Sequence, residues 1–97
     1  MRGVLITVST TWNADAPWRV HPQVSVRPEP FGALLYHFGT RQLSFIKDPA
    51  LAAVLVALPD ATSARAAMLA VAPERVDAFS AALETLARKS MIIERAA

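Results

Sequence analysis

The sequence predicts an α+β domain in which three antiparallel strands precede three helices. Proline and glycine concentrate early, at Pro17, Pro22, Pro28, Pro30, Gly32 and Gly39, whereas from Ala50 onward the chain is rich in alanine and leucine, with only Pro59 and Pro73. Two apolar runs in FGALLYHFGTRQLSFI meet at Gly39-Thr40, the pattern of a β-hairpin. Beyond Pro73, apolar residues recur at spacings of three and four, the period of a helix. Such a shift reads as strands first and helices after.

The chain has 97 residues, enough for one compact domain with a core and little to spare for a second. Residues 1–16, MRGVLITVSTTWNADA, read as an N-terminal extension, and the folded domain is expected over residues 17–97 with its boundary near Pro17. Val4 to Val8 is too short for a secretory core and has enough β-propensity to cover a sheet edge. No apolar run reaches the roughly 18 to 20 residues that cross a bilayer, so no membrane role is expected. There is no cysteine, hence no disulfide, cysteine zinc site or iron–sulfur ligand set, which fits a cytoplasmic protein. The formal charge is +2, and basic and acidic residues are interleaved, so no basic stripe marks a phosphate-binding face.

Residues 23–27, QVSVR, alternate Val24 and Val26 against polar neighbours and end at Pro28 and Pro30, giving a first strand. A two-residue turn at Gly39-Thr40 pairs Phe38 with Arg41, Tyr36 with Leu43 and Leu34 with Phe45. Leu34, Tyr36, Leu43 and Phe45 then form a dense apolar face, expected to pack inward, against a mixed face of Leu35, His37, Gln42 and Ser44 with Ala33 and Ile46 at its far end.

Asp48-Pro49 starts the first helix, with the carboxylate as N-cap and proline at the first helical position. LAAVLVAL, apolar nearly all round, makes that helix central, and Pro59-Asp60 ends it. Thr62 or Ser63 caps a second helix through about Val71 that presents Met68 and Leu69. Pro73-Glu74 begins the third, whose Val76, Phe79, Leu83 and Leu86 share one face opposite Asp77, Glu84 and Arg88. MIIER at the end reads equally as a short strand or an apolar plug.

Residues able to carry catalysis are few. His21 and His37 lack a neighbouring cysteine or acidic cluster at metal-ligand spacing, and an ordinary hydrogen-bonded imidazole accounts for His37. No Gly-x-Ser-x-Gly elbow occurs, and three glycines make no phosphate or dinucleotide loop. Glu74 and Asp77 sit where carboxylates favour a helix's positive end. Trp18 is expected to pack the start of the domain onto its core, and Trp12 has no assignment. No catalytic residue, cofactor or metal is expected. A sheet edge beside an amphipathic helix is different, because an extended peptide can add to it as a strand. Pattern alone is equally consistent with an edge that is short, twisted or covered by residues 1–16.

The run WRVHPQVSVRPEPFGALLYHFGTRQLSFIKDPAL, with DAFSAALETLARKSMI after it, closely resembles the peptide chaperone family of mycofactocin biosynthesis, MftB, over roughly residues 17–93. That family is similar to the pyrroloquinoline quinone peptide chaperones and RiPP recognition elements, which share a winged helix-turn-helix arrangement. The resemblance implies a non-enzymatic chaperone that binds the leader of a ribosomally made precursor peptide by strand addition. It also implies presentation of that peptide to a radical S-adenosylmethionine maturase, which holds the iron–sulfur clusters. In the wider family the leader pairs with the third strand and lies in the cleft beside the third helix. Here this implies peptide contacts at Arg41, Gln42, Leu43, Ser44, Phe45 and Ile46. On the helix it nominates Asp77, Ser80, Ala81, Glu84 and Arg88. Two other classes compete. A winged helix-turn-helix DNA-binding regulator needs a basic recognition helix, which Glu74, Asp77 and Glu84 argue against. A small enzyme needs a metal or cofactor that the polar inventory does not suggest.

Overall fold

The computed structural model describes residues 12–95. Strand β1 is Trp18–Val20, β2 Val24–Glu29, β3 Gly32–His37 and β4 Leu43–Ile46. Helices α1 (Pro49–Ala57), α2 (Ala64–Val71) and α3 (Val76–Arg88) follow, and β5 is Ile92–Glu94. Short 3-10 turns at Leu58–Asp60 and Pro73–Arg75 close α1 and lead into α3. The protein is α+β: β2, β3 and β4 form an antiparallel sheet in that order, and the three helices follow it. The segment MIIER resolves as a strand: β5 pairs antiparallel with β1, Val20 opposite Ile92, in a separate two-stranded sheet. Three residues without alternation give β1 no signal of its own, so only its partner makes it a strand.

Local chemistry places the helices as expected. The Asp48 side chain accepts from the Ala50 N–H at 2.9 Å with Pro49 at the first helical position, and Ser63 Oγ accepts from the Ala66 N–H at 3.0 Å. Leu51, Val54, Leu55 and Leu58 are buried, with α1 packed on β3 and β4, and Phe79, Leu83 and Leu86 close the core from α3. Leu69, expected to pack from α2, is exposed, while Met68 is fully buried. Trp18 lies in the core, and its indole N–H donates to the Asn13 carbonyl at 2.8 Å. The described part of the extension is packed: the Ala14 and Ala16 carbonyls accept from Arg65 and Ala64 at the start of α2. Val4 to Val8 lies outside the described residues.

Two expectations about the hairpin are corrected. The register stands, with Tyr36 opposite Leu43 and Leu34 opposite Phe45, but the faces are reversed. Ala33, Leu35, His37, Ser44 and Ile46 are buried, and α1 packs on this side of β3 and β4. Small Ala33 and Ser44 let the helix approach, so the bulkier Leu34, Tyr36, Leu43 and Phe45 face outward. The turn is also longer than two residues. His37 N–H donates to the Gln42 carbonyl and Arg41 N–H to the His37 carbonyl, enclosing Phe38–Arg41, and Arg41 rather than Gly39 takes the positive φ of 66°. The cause is the buried His37 imidazole: its Nδ1 accepts from Gly39 N–H at 3.0 Å and Thr40 N–H at 3.1 Å, drawing the loop around it. Gly39 serves close approach, since a Cβ there would sit 2.7 Å from Gln23 Oε1.

Candidate peptide-binding edge and groove

Among the described residues, one edge of the three-stranded sheet is blunted and the other is open. In antiparallel pairs, alternate residues point their backbone groups at the partner strand. Phe38 N–H donates to the Gln23 carbonyl, so by alternation Val24, Val26 and Pro28 turn outward on β2. Val24 N–H is already used by the His21 carbonyl, and Pro28 has no N–H. That edge is blunted. On β4 the His37–Gln42 hydrogen bond makes Leu35–Ser44 the next bonded pair, which leaves Leu43 and Phe45 with N–H and C=O groups directed away from β3.

Beside that open edge runs a groove of about 440 Å³. Its strand wall is Leu43 to Lys47, Leu51 of α1 lies at its base, and Ala82, Thr85, Leu86 and Lys89 form the helix wall. An ion pair between Asp48 and Arg75 ties the β4–α1 junction to the entry of α3, and the Arg75 guanidinium lies 4.5 Å from the Phe79 ring centre. The hydrogen bond from Arg75 holds the Asp48 carboxyl below its ordinary range, with the Ala50 and Leu51 N–H groups adding to the effect and desolvation opposing it. The Ser44 hydroxyl lies at the groove, buried and without a hydrogen-bond partner among the described residues, while the Thr85 hydroxyl donates to the Ala81 carbonyl at 3.2 Å.

The structure brings Leu43, Ser44, Phe45 and Ile46 to the groove and leaves other nominated residues elsewhere. Arg41 and Gln42 belong to the loop, although the Gln42 carbonyl closes the hairpin. Asp77, Ser80, Ala81, Glu84 and Arg88 are not among the groove-lining residues. Ser80 Oγ accepts from the Trp12 indole N–H at 3.0 Å, and Arg88 pairs with Glu84 at 3.5 Å. The helix wall was legible in a second stripe, Ala82, Thr85, Leu86 and Lys89, spaced i, i+3, i+4 and i+7. Its small and polar members do not announce an apolar face, so periodicity leaves this stripe unmarked in the sequence.

On the opposite side of the sheet, Leu43 is 53% and Phe45 60% exposed, and the Tyr36 and Phe38 rings meet edge to face at 5.1 Å. A shallow notch of about 390 Å³ lies between Phe31, Phe45 and Lys47. His21 and His37 stack with ring centres 4.5 Å apart, and burial, then the charges of His37 and Arg19, hold His21 below its usual range. Both Nδ1 atoms accept backbone N–H bonds, so the pair is structural. Among the described residues no three His, Cys, Asp or Glu side chains converge to hold a metal, and no helix is long and apolar enough to cross a membrane.

The model of the peptide chaperone MftB family matches residues 17–93. The protein named peptide chaperone MftB in Mycobacterium tuberculosis is 46% identical over 89 residues, covering 90% of this chain and 82% of that one. Its namesake in Mycolicibacterium smegmatis is 47% identical over 85 residues, 86% of this chain and 83% of the relative. That of Mycobacterium ulcerans is 44% identical over 88 residues, with 89% and 81% covered. No solved structure matches the chain significantly.

Proposed function

Because the chain belongs to the peptide chaperone MftB family, we propose that it is a non-catalytic chaperone whose β4 edge and β4–α3 groove bind the leader of the mycofactocin precursor peptide. The bound peptide is presented to a radical S-adenosylmethionine maturase, which performs the chemistry. The observation that carries this reading is the coincidence of the open edge with the groove. Backbone groups of Leu43 and Phe45 give affinity to any extended chain, and the wall of Ala82, Thr85, Leu86 and Lys89 sorts the side chains that point inward. Small Ala82 lets a peptide approach the helix, while Lys47 and Lys89 put positive charge at the rims without an acidic residue in the lining.

A nucleic-acid partner is disfavoured by α3 itself. Its exposed surface carries Asp77 and Glu84, and Glu84 pairs with Arg88, so little surplus positive charge remains to replace phosphate counterions. Isothermal titration with a synthetic leader peptide, alone and with purified maturase, tests the proposal. Saturable binding that survives addition of the maturase is expected; absence of binding in both mixtures would overturn it.

A further inference from the structure

Strand addition to β4 has a geometric consequence on the far side of the sheet. Successive side chains of an added strand alternate between its two faces. If inward ones enter the groove beside Ser44 and Ile46, the outward ones stand next to Leu43 and Phe45. Those two side chains are exposed, and Phe45 belongs to both cavities: it lines the groove and, with Phe31 and Lys47, the notch on the outer face. Phe31 is 42% exposed at the Pro30-Phe31 turn between β2 and β3, with its ring centre 6.5 Å from that of Phe45. An added strand's outward side chains would be cross-strand neighbours of Leu43 and Phe45, close enough to interact with them.

We propose that this notch is a second side-chain pocket for the same peptide, taking an aliphatic or aromatic residue from the outward face of the added strand. The proposal rests on the strand-addition reading above and deepens it: the leader is read on both faces, not only on the one facing α3. The Lys47 ammonium at the notch's rim also favours a carboxylate on the peptide next to that apolar anchor. Continuity through Phe45 is what commits the notch to the peptide, because the residue that lines the groove at the β4 edge also lines the notch.

The discriminating variant is Phe31→Ser, at a residue that is neither part of β4 nor among those lining the groove. Its affinity for a fluorescent synthetic leader is compared with that of the wild type by anisotropy, with thermal melts as a folding control. Loss of an apolar contact of this size predicts about tenfold weaker binding. An alanine scan of the leader should show sensitive positions at both parities of the bound stretch. The outward set alone should become insensitive in Phe31→Ser. Affinity within twofold of wild type, or sensitivity confined to the inward parity, would overturn the notch while leaving the groove intact. A wild type that fails to bind the leader at all removes the strand-addition reading itself, and the notch with it.

Discussion

Single residues hold the site in shape, and their chemistry sets testable costs. Gly32 has φ of 148°, and a Cβ there would lie 2.0 Å from the Ile46 carbonyl oxygen, at the end of β4. Gly32→Ala should therefore lower stability by more than about 2 kcal/mol in urea unfolding, because the obstacle is backbone and has no room to yield. His37 is 3% exposed and its Nδ1 collects the Gly39 and Thr40 N–H groups, so His37→Leu should cost about 1–3 kcal/mol without abolishing any reaction. The Asp48–Arg75 pair gives a pH signature. The Asp48 value is lower in the folded chain than in the unfolded one, so its contribution is complete above the ordinary carboxylate range and fades as pH falls through the lowered value. Asp48→Asn keeps the helix cap and should melt with a flatter pH dependence than the wild type below about pH 4, the ordinary value of an Asp.

At the scale of elements, the open edge is a matter of parity. Ser44 points its N–H at β3, whereas Phe45 points its own away, so the two proline variants should separate stability from binding. Phe45→Pro removes an outward N–H that edge strands can spare and should change stability by less than about 1 kcal/mol while weakening the peptide at least about tenfold. Ser44→Pro breaks the ladder and should lower both, which unfolding curves paired with titrations would reveal. The same parity explains what the sequence made legible. Helix starts were readable because Asp48-Pro49 and Ser63 are local capping signals, and the register followed from the hairpin's two runs. Which face turns inward was not, because Leu34, Tyr36, Leu43 and Phe45 look more like a core than Ala33, Leu35, Ser44 and Ile46 do. Burial was decided by the close approach of α1, a tertiary fact, and the excess of apolar residues on the outer face is a sign of a surface with something to bind.

In the whole molecule, the two small sheets divide the labour. The β1–β5 pair ties the two ends of the domain together: Arg95 N–H donates to the Pro17 carbonyl, and its guanidinium reaches the Pro59 and Ala61 carbonyls beyond α1. Among the described residues the β2–β3–β4 sheet blunts one edge with Pro28 and leaves the other beside α3, an asymmetry in keeping with the proposed strand addition. Family membership points to a peptide partner, which no side chain here names; under the proposed strand addition a backbone rail accepts any extended chain, and the groove and notch would discriminate. Amide hydrogen exchange of the protein with and without the synthetic leader tests the central claim most directly. The account predicts that the Leu43 and Phe45 amides, open in the free protein, become strongly protected when the leader binds, with Val26 on the opposite edge unchanged. Binding that leaves Leu43 and Phe45 exchanging at their free rates would contradict it.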